Sequence, residues 1–139
     1  MSKANPRETK QRHAIRRAFE VADRPLGPKE VLDIAGQEVH NLGIATVYRN
    51  IKTMVDQGAL ETINLPGEPP RYDLPRSKAE NSSLIMCKKT NRVFHGNQDV
   101  HIELPTIPGF NIKNYQIIFY GESDANSPDK QLDTVAHKS

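Results

Sequence analysis

An α+β fold in two parts is what this sequence predicts, on three observations. Apolar residues recur at helical spacing three times before residue 58, and a Pro66-Gly67-Glu68-Pro69 insert then separates two extended segments. Beyond the polar stretch at residues 75–83 the pattern changes to short strands. The net charge divides at the same place: residues 1–78 carry +3 and residues 79–139 carry −1, so the basic character belongs to the first part. We read residues 1–76 as one domain, 77–83 as a linker, and 84–139 as a small α/β domain with reduced helix content and a polar C-terminal tail.

The first helix is expected over Thr9–Ala22, where Ile15, Ala18, Phe19 and Ala22 share a face and Arg24-Pro25 stops the run. The second starts near Pro28, buries Val31, Leu32 and Ala35, and ends around Gly36 to Val39. The third runs from about Ile44 to Gln57, with Gly58 as its cap. Ala59–Leu65 and Pro70–Leu74 then form a hairpin about the proline-glycine insert. Three helices followed by such a hairpin make the winged form of the helix-turn-helix, in which the third helix is the reader.

That third helix has two unlike faces. Val47, Ile51, Met54 and Val55 cluster on one side, and Ala45, Thr46, Arg49, Lys52 and Thr53 fall on the other. Small residues, hydroxyls and cations without a carboxylate suit close approach to phosphates and base edges. A surface helix with a solvated basic edge is the alternative. The segments around it favour DNA, because Met1–Arg17 holds six basic residues (Lys3, Arg7, Lys10, Arg12, Arg16, Arg17) against Glu8 alone. Tyr48 lies at the edge of the apolar face next to Val55, so flanking the core is its competing role.

In the second part, Leu84–Cys87 and Arg92–Phe94 are short strands around the turn Lys88–Asn91, and Asn111–Tyr120 is the clearest strand. Two prolines in Leu104–Gly109 leave little room for a helix. Ser127-Pro128-Asp129 opens either a short docked helix or a frayed tail. The lone Cys87 excludes an intramolecular disulfide and any four-cysteine zinc site. No apolar run approaches a membrane span and the N-terminus has no signal-peptide core, so a cytoplasmic protein is expected.

Thr9-Lys10-Gln11-Arg12, Gly43-Ile44-Ala45-Thr46-Val47-Tyr48-Arg49, Val55-Asp56-Gln57-Gly58-Ala59-Leu60 and Arg71-Tyr72-Asp73-Leu74, in this order, resemble the ferric uptake regulator family of bacterial repressors. The likeness is good over about residues 7–74 and weaker through Gly109-Phe110 and Tyr120-Gly121. It implies a dimer that sets two reading helices in successive major grooves of a palindromic operator, with the second domain as the dimer interface. Tyr48 then matches a tyrosine that packs on thymine methyls, Arg49 a DNA contact beside it, and Arg7 a cation on an arm that reaches the minor groove. Arg12 matches an arginine common near the first helix. Lys10, Ala45, Thr46 and Lys52 complete the expected DNA-binding set.

The family's metal apparatus is missing from the sequence. Members carry histidines before a Cys-x-x-Cys and a second Cys-x-x-Cys after the Tyr-Gly of the last strand. Cys87 matches the first cysteine, while Thr90, Ser123 and Asn126 stand at the other three. Asn81, Ser82 and Leu84 replace the histidine run, Pro25 and Tyr115 replace two further histidines, and only Asp73 and Glu103 keep their acidic character. Carboxylates without imidazole or thiolate select poorly for iron or zinc. No metal and no cofactor are therefore expected. His95, His101, Glu103 and Cys87 have suitable types for an unusual site but no recognised ligand spacing. Cys87 is followed by Lys88 rather than proline, which argues against haem sensing.

The reading that follows is a metal-independent, homodimeric, sequence-specific regulator of transcription bound to double-stranded DNA. An interaction partner that pairs with a metal-sensing relative is the alternative. An enzyme is not expected, because Cys87 and His95 come with no oxyanion hole and no orienting third group.

Overall fold

A computed structural model describes residues 6–76, 83–96 and 100–124. The chain divides into two compact units, Met1–Arg76 and Ser77–Ser139. Such a division of three helices and small sheets is the α+β fold that the sequence predicts.

In the first unit α1 spans Pro6–Ala22, α2 Pro28–Ala35 and α3 Ile44–Asp56, followed by β1 (Glu61–Ile63) and β2 (Arg71–Asp73). Helix α1 begins three residues earlier than expected. Pro6 supplies the reason, since a proline in the first turn loses no helical hydrogen bond and has its φ already set. Arg7 consequently lies in the first turn of α1 and not on an arm ahead of it.

The turn from α1 to α2 is fixed by polar contacts. Gly27 N–H donates to Glu30 Oε1 at 3.1 Å, and Arg24 donates to Glu30 Oε2 at 2.6 Å and to the Pro25 carbonyl at 3.1 Å. With the helices so placed, Ile15, Phe19, Leu26, Val31, Val47, Ile51 and Met54 interlock in a core that solvent scarcely reaches. Helix α3 ends where Gly58 takes φ +77°, a conformation that costs a residue without Cβ little.

The wing pairs antiparallel in the register Glu61↔Asp73, Thr62↔Tyr72 and Ile63↔Arg71, shorter than the sequence suggests. It is anchored to the core by a backbone exchange: Leu26 N–H donates to Tyr72 O at 2.8 Å and Tyr72 N–H to Leu26 O at 2.9 Å. Alternation along β2 buries Arg71 and Asp73 and turns Tyr72 to the other face.

The second unit holds β3 (Ser83–Cys87), β4 (Val93–His95) and β5 (Ile117–Gly121), in the sheet order β4-β3-β5. Strand β3 is central, antiparallel to β4 and parallel to β5. Two expectations are corrected here. Ser83, assigned to the linker, is buried and opens β3, pairing with Ile117. The long strand expected over Asn111–Tyr120 is confined to Ile117–Gly121, because a strand extends only as far as its partner, and β3 offers five residues. Among the described residues this unit contains no helix. The remainder of the expected linker and the expected helix after Ser127 lie outside the described residues.

Candidate nucleic-acid interface

The amphipathic period of α3 decides which of its side chains face outward. Val47, Ile51 and Met54 are buried, and Ala45, Tyr48, Arg49 and Lys52 are exposed. Thr46 is half-buried, and its hydroxyl accepts a hydrogen bond from Arg49 Nη2 at 3.3 Å. Tyr48 is 53% exposed, so about half of its surface meets solvent at the edge of the apolar face. The first turn of α3 has no acidic residue, and its N-cap, Gly43, makes no side-chain hydrogen bond. The backbone N–H groups and the positive end of the helix dipole are thereby left to an external anion.

Helix α1 sorts the basic residues of the N-terminus. Arg16 pairs with Glu20 and Arg17 with Glu38. Arg7 and Lys10 are exposed, without an ion pair among the described residues. Arg12 is half-buried and donates to Gln57 Oε1 at 2.5 Å, tying α1 to the end of α3 across 45 residues of sequence. Arg12 thus has a partner within the fold that its place in the sequence does not reveal.

Beside α3 lies an open depression of about 650 Å³. Ala45, Tyr48, Arg49, Ile51, Lys52, Val55 and Asp56 line it from the helix, and Thr62 and Tyr72 from the wing. The two wing residues were not among those expected from the sequence. The hairpin's symmetry about Gly67 carries the signal, since it sets residue 62 opposite residue 72.

Below the wing, Asp73 is wholly buried. Its Oδ1 accepts the Leu74 N–H at 2.8 Å and its Oδ2 accepts Arg76 Nε at 3.0 Å, while Arg76 Nη2 reaches Asp23 Oδ1 at 2.7 Å. Burial works against the charge of Arg76, but the hydrogen bonds and proximity of Asp23 and Asp73 outweigh it and raise the guanidinium's pKa.

In the second unit three of the four residues aligned with a four-cysteine site come together, and the fourth, Asn126, lies outside the described residues. Cys87 Sγ lies 3.4 Å from Ser123 Oγ, and Thr90 also hydrogen-bonds the thiol. Burial pushes the thiol's pKa up, yet the hydrogen bonds from Ser123 and Thr90 lower it from 9.0 to about 7. One thiol and two hydroxyls do not fit a tetrahedral zinc centre. No three His, Cys, Asp or Glu side chains gather into a metal-binding group among the described residues. His95 is half-buried on β4, while His101 and Glu103 stand exposed in the segment beyond it. Asp73, one of the two acidic residues aligned with metal ligands, is already engaged by Arg76.

Three helices with an anchored wing and a carboxylate-poor outward face on the third define a winged-helix protein of the DNA-binding class. A family model narrows the class: "Ferric uptake regulator family" matches residues 3–120, and the chain belongs to that family. Its members are DNA-binding regulators of transcription that act as dimers. The "Zinc uptake regulation protein" of Mycobacterium tuberculosis is 27% identical over 132 residues, covering 91% of this chain and the whole of that protein. A solved "zinc-bound manganese uptake regulator" superposes with a TM-score of 0.67 at 18% identity, covering 88% of this chain and 91% of that one. The ferric uptake regulator of Francisella tularensis with iron gives 0.59 at 21% identity, covering 90% and 93%. These likenesses bear on the fold.

Proposed function

We propose that this protein is a metal-independent, sequence-specific transcriptional regulator that binds a palindromic operator as a cytoplasmic homodimer. The first unit is the DNA-binding domain and the second the dimerisation domain. Arg7, Lys10, Arg12, Ala45, Thr46, Tyr48, Arg49 and Lys52 form the DNA-binding set, with Arg12 contributing while tethered to Gln57. The observation that carries this reading is the outward face of α3, where Ala45, Tyr48, Arg49 and Lys52 are exposed and no carboxylate intervenes before Asp56.

Homodimerisation is supported by the apolar surface of the second unit. Ile102, Leu104, Ile107, Phe110, Tyr115, Phe119 and Tyr120 are each between 42% and 61% exposed, more than a small monomeric sheet carries comfortably. Metal independence is supported by the replaced ligands and by Arg76, which already neutralises the buried Asp73. In this respect the chain parts from relatives named for zinc, manganese or iron. The same apolar surface also suits a second reading, pairing with a metal-sensing relative whose operator binding this chain then alters.

Selection of bound sequences from random duplex DNA, with chelator present, tests the reading. The protein alone should enrich a palindrome, and Arg49→Ala should weaken its binding by about 1–3 kcal/mol if the side chain meets a base edge. Enrichment only when a relative is mixed in favours the second reading. Binding left unchanged by Arg49→Ala removes α3 from the interface.

A further inference from the structure

We propose that the depression between α3 and the wing seats one strand of the DNA backbone, with the hydroxyls of Thr62 and Tyr72 donating to its phosphates. This rests on α3 being the DNA reader. An α-helix with its side chains is about 10–12 Å across and fills a major groove about 12 Å wide, so a phosphate strand must run along each of its flanks. On the wing side, that flank is the depression lined by Arg49 and Lys52 from the helix and by Thr62 and Tyr72 from the sheet.

The wing offers hydroxyls here and no free cation. Thr62 and Tyr72 are directly opposed across the hairpin, which sets both side chains on one face. Neither hydroxyl has a hydrogen-bond partner among the described residues, so each is available to a phosphate oxygen. Arg71, the wing's one basic residue, lies on the other face with its side chain 9% exposed. It is held by the Pro69 carbonyl at 2.8 Å and by Glu68 at 3.3 Å. With Glu68 beside the turn, the wing tip is poorly suited to enter a minor groove, and the sheet's flank is left as its DNA-facing surface. Asp56, at the C-terminal end of α3, bounds the phosphate track and confines it to the stretch beside Arg49 and Lys52.

Neutral and charged contacts leave different signatures in a salt series, and that makes the placement testable. A lost lysine contact removes released counterions and lowers the log–log salt slope by about 0.9, whereas a lost hydroxyl contact lowers affinity without touching the slope. Binding of the full-length protein and its variants to a labelled mixed-sequence duplex, across a salt series, is the experiment. Tyr72→Phe and Thr62→Val each keep the shape of the residue. Each should weaken binding about threefold to tenfold at every salt concentration, with unchanged slope and unchanged thermal midpoint. Lys52→Ala should flatten the slope. Wild-type affinity in both Tyr72→Phe and Thr62→Val, while Arg49→Ala is impaired, would overturn the seating and leave the DNA reading intact. A wild-type protein that does not bind the duplex would overturn both.

Discussion

The two units of this chain solve the problem of burial differently. In the first, twelve side chains from three helices and the adjoining loops close a core in which Ile15, Phe19, Leu26, Val31 and Val47 are fully shielded. In the second, a three-stranded sheet buries Leu84, Met86, Val93 and Phe94, while seven large apolar side chains among the described residues of the unit are exposed. The exposed side of α3 in the first unit carries Arg49 and Lys52, whereas the exposed surface described in the second unit is largely apolar. The contrast is what the proposed division of labour rests on: a self-contained unit suits a rigid reading helix, and an exposed apolar surface suits assembly.

A pair of substitutions would break that contrast most visibly. Ile51→Ala should cost the first unit about 2–5 kcal/mol, enough to unfold much of it at growth temperature, as circular dichroism on heating would record. Phe119→Asp, at a position 48% exposed, should leave the first unit's melting unchanged. In sedimentation it should shift the protein from dimer to monomer, weakening association about tenfold or more. A dimer unaffected by this change would show that the exposed apolar surface is not the interface.

Arg76→Ala sharpens the account of metal independence. It takes the guanidinium from the buried Asp73 carboxylate, and a loss of about 1–3 kcal/mol is expected. That is below the range for fully buried pairs because Arg76 itself is one-third exposed. Urea denaturation of wild type and variant measures it, and equal midpoints would mean that the ion cluster contributes nothing.

How much of this was legible in the sequence differs between the units for physical reasons. Helix α3 was legible because its 3.6-residue period, its small and basic outward positions and Gly58 are all local signals. The wing was legible from the Pro-Gly insert. Arg7's place inside α1 was missed because the apolar face of the helix begins at Ala14 and Ile15, and its polar first turns carry no periodic signal. The truncation of β5 was not legible, since its length is set by β3, some thirty residues away in the chain. Contacts between distant segments have no local signature: Arg12 with Gln57, Arg76 with Asp23, and the facing of Thr62 and Tyr72 toward α3 all required the fold. The gathering of Cys87, Thr90 and Ser123 followed from alignment with the family's cysteines rather than from any pattern in this chain.

The smallest effect concerns that cradle. A thiol with its pKa lowered to about 7 in the folded protein, against 9.0 ordinarily, stabilises the second unit as pH rises. Its contribution is complete above about 9 and is lost as pH falls through about 7. Thiolate absorbance in the ultraviolet should therefore titrate near 7, and Ser123→Ala should move the midpoint upward. A wild-type midpoint near 9 would show that the hydroxyls do not stabilise the thiolate.

The central claim is that a member of a metal-responsive family reads DNA here without metal. Elemental analysis of the purified protein, joined to DNA binding before and after chelation, tests it most directly. The account predicts no stoichiometric zinc, iron or manganese, and the same affinity for the selected duplex with chelator or with micromolar metal. About one tightly held metal per chain, with DNA binding abolished by its removal, would contradict it.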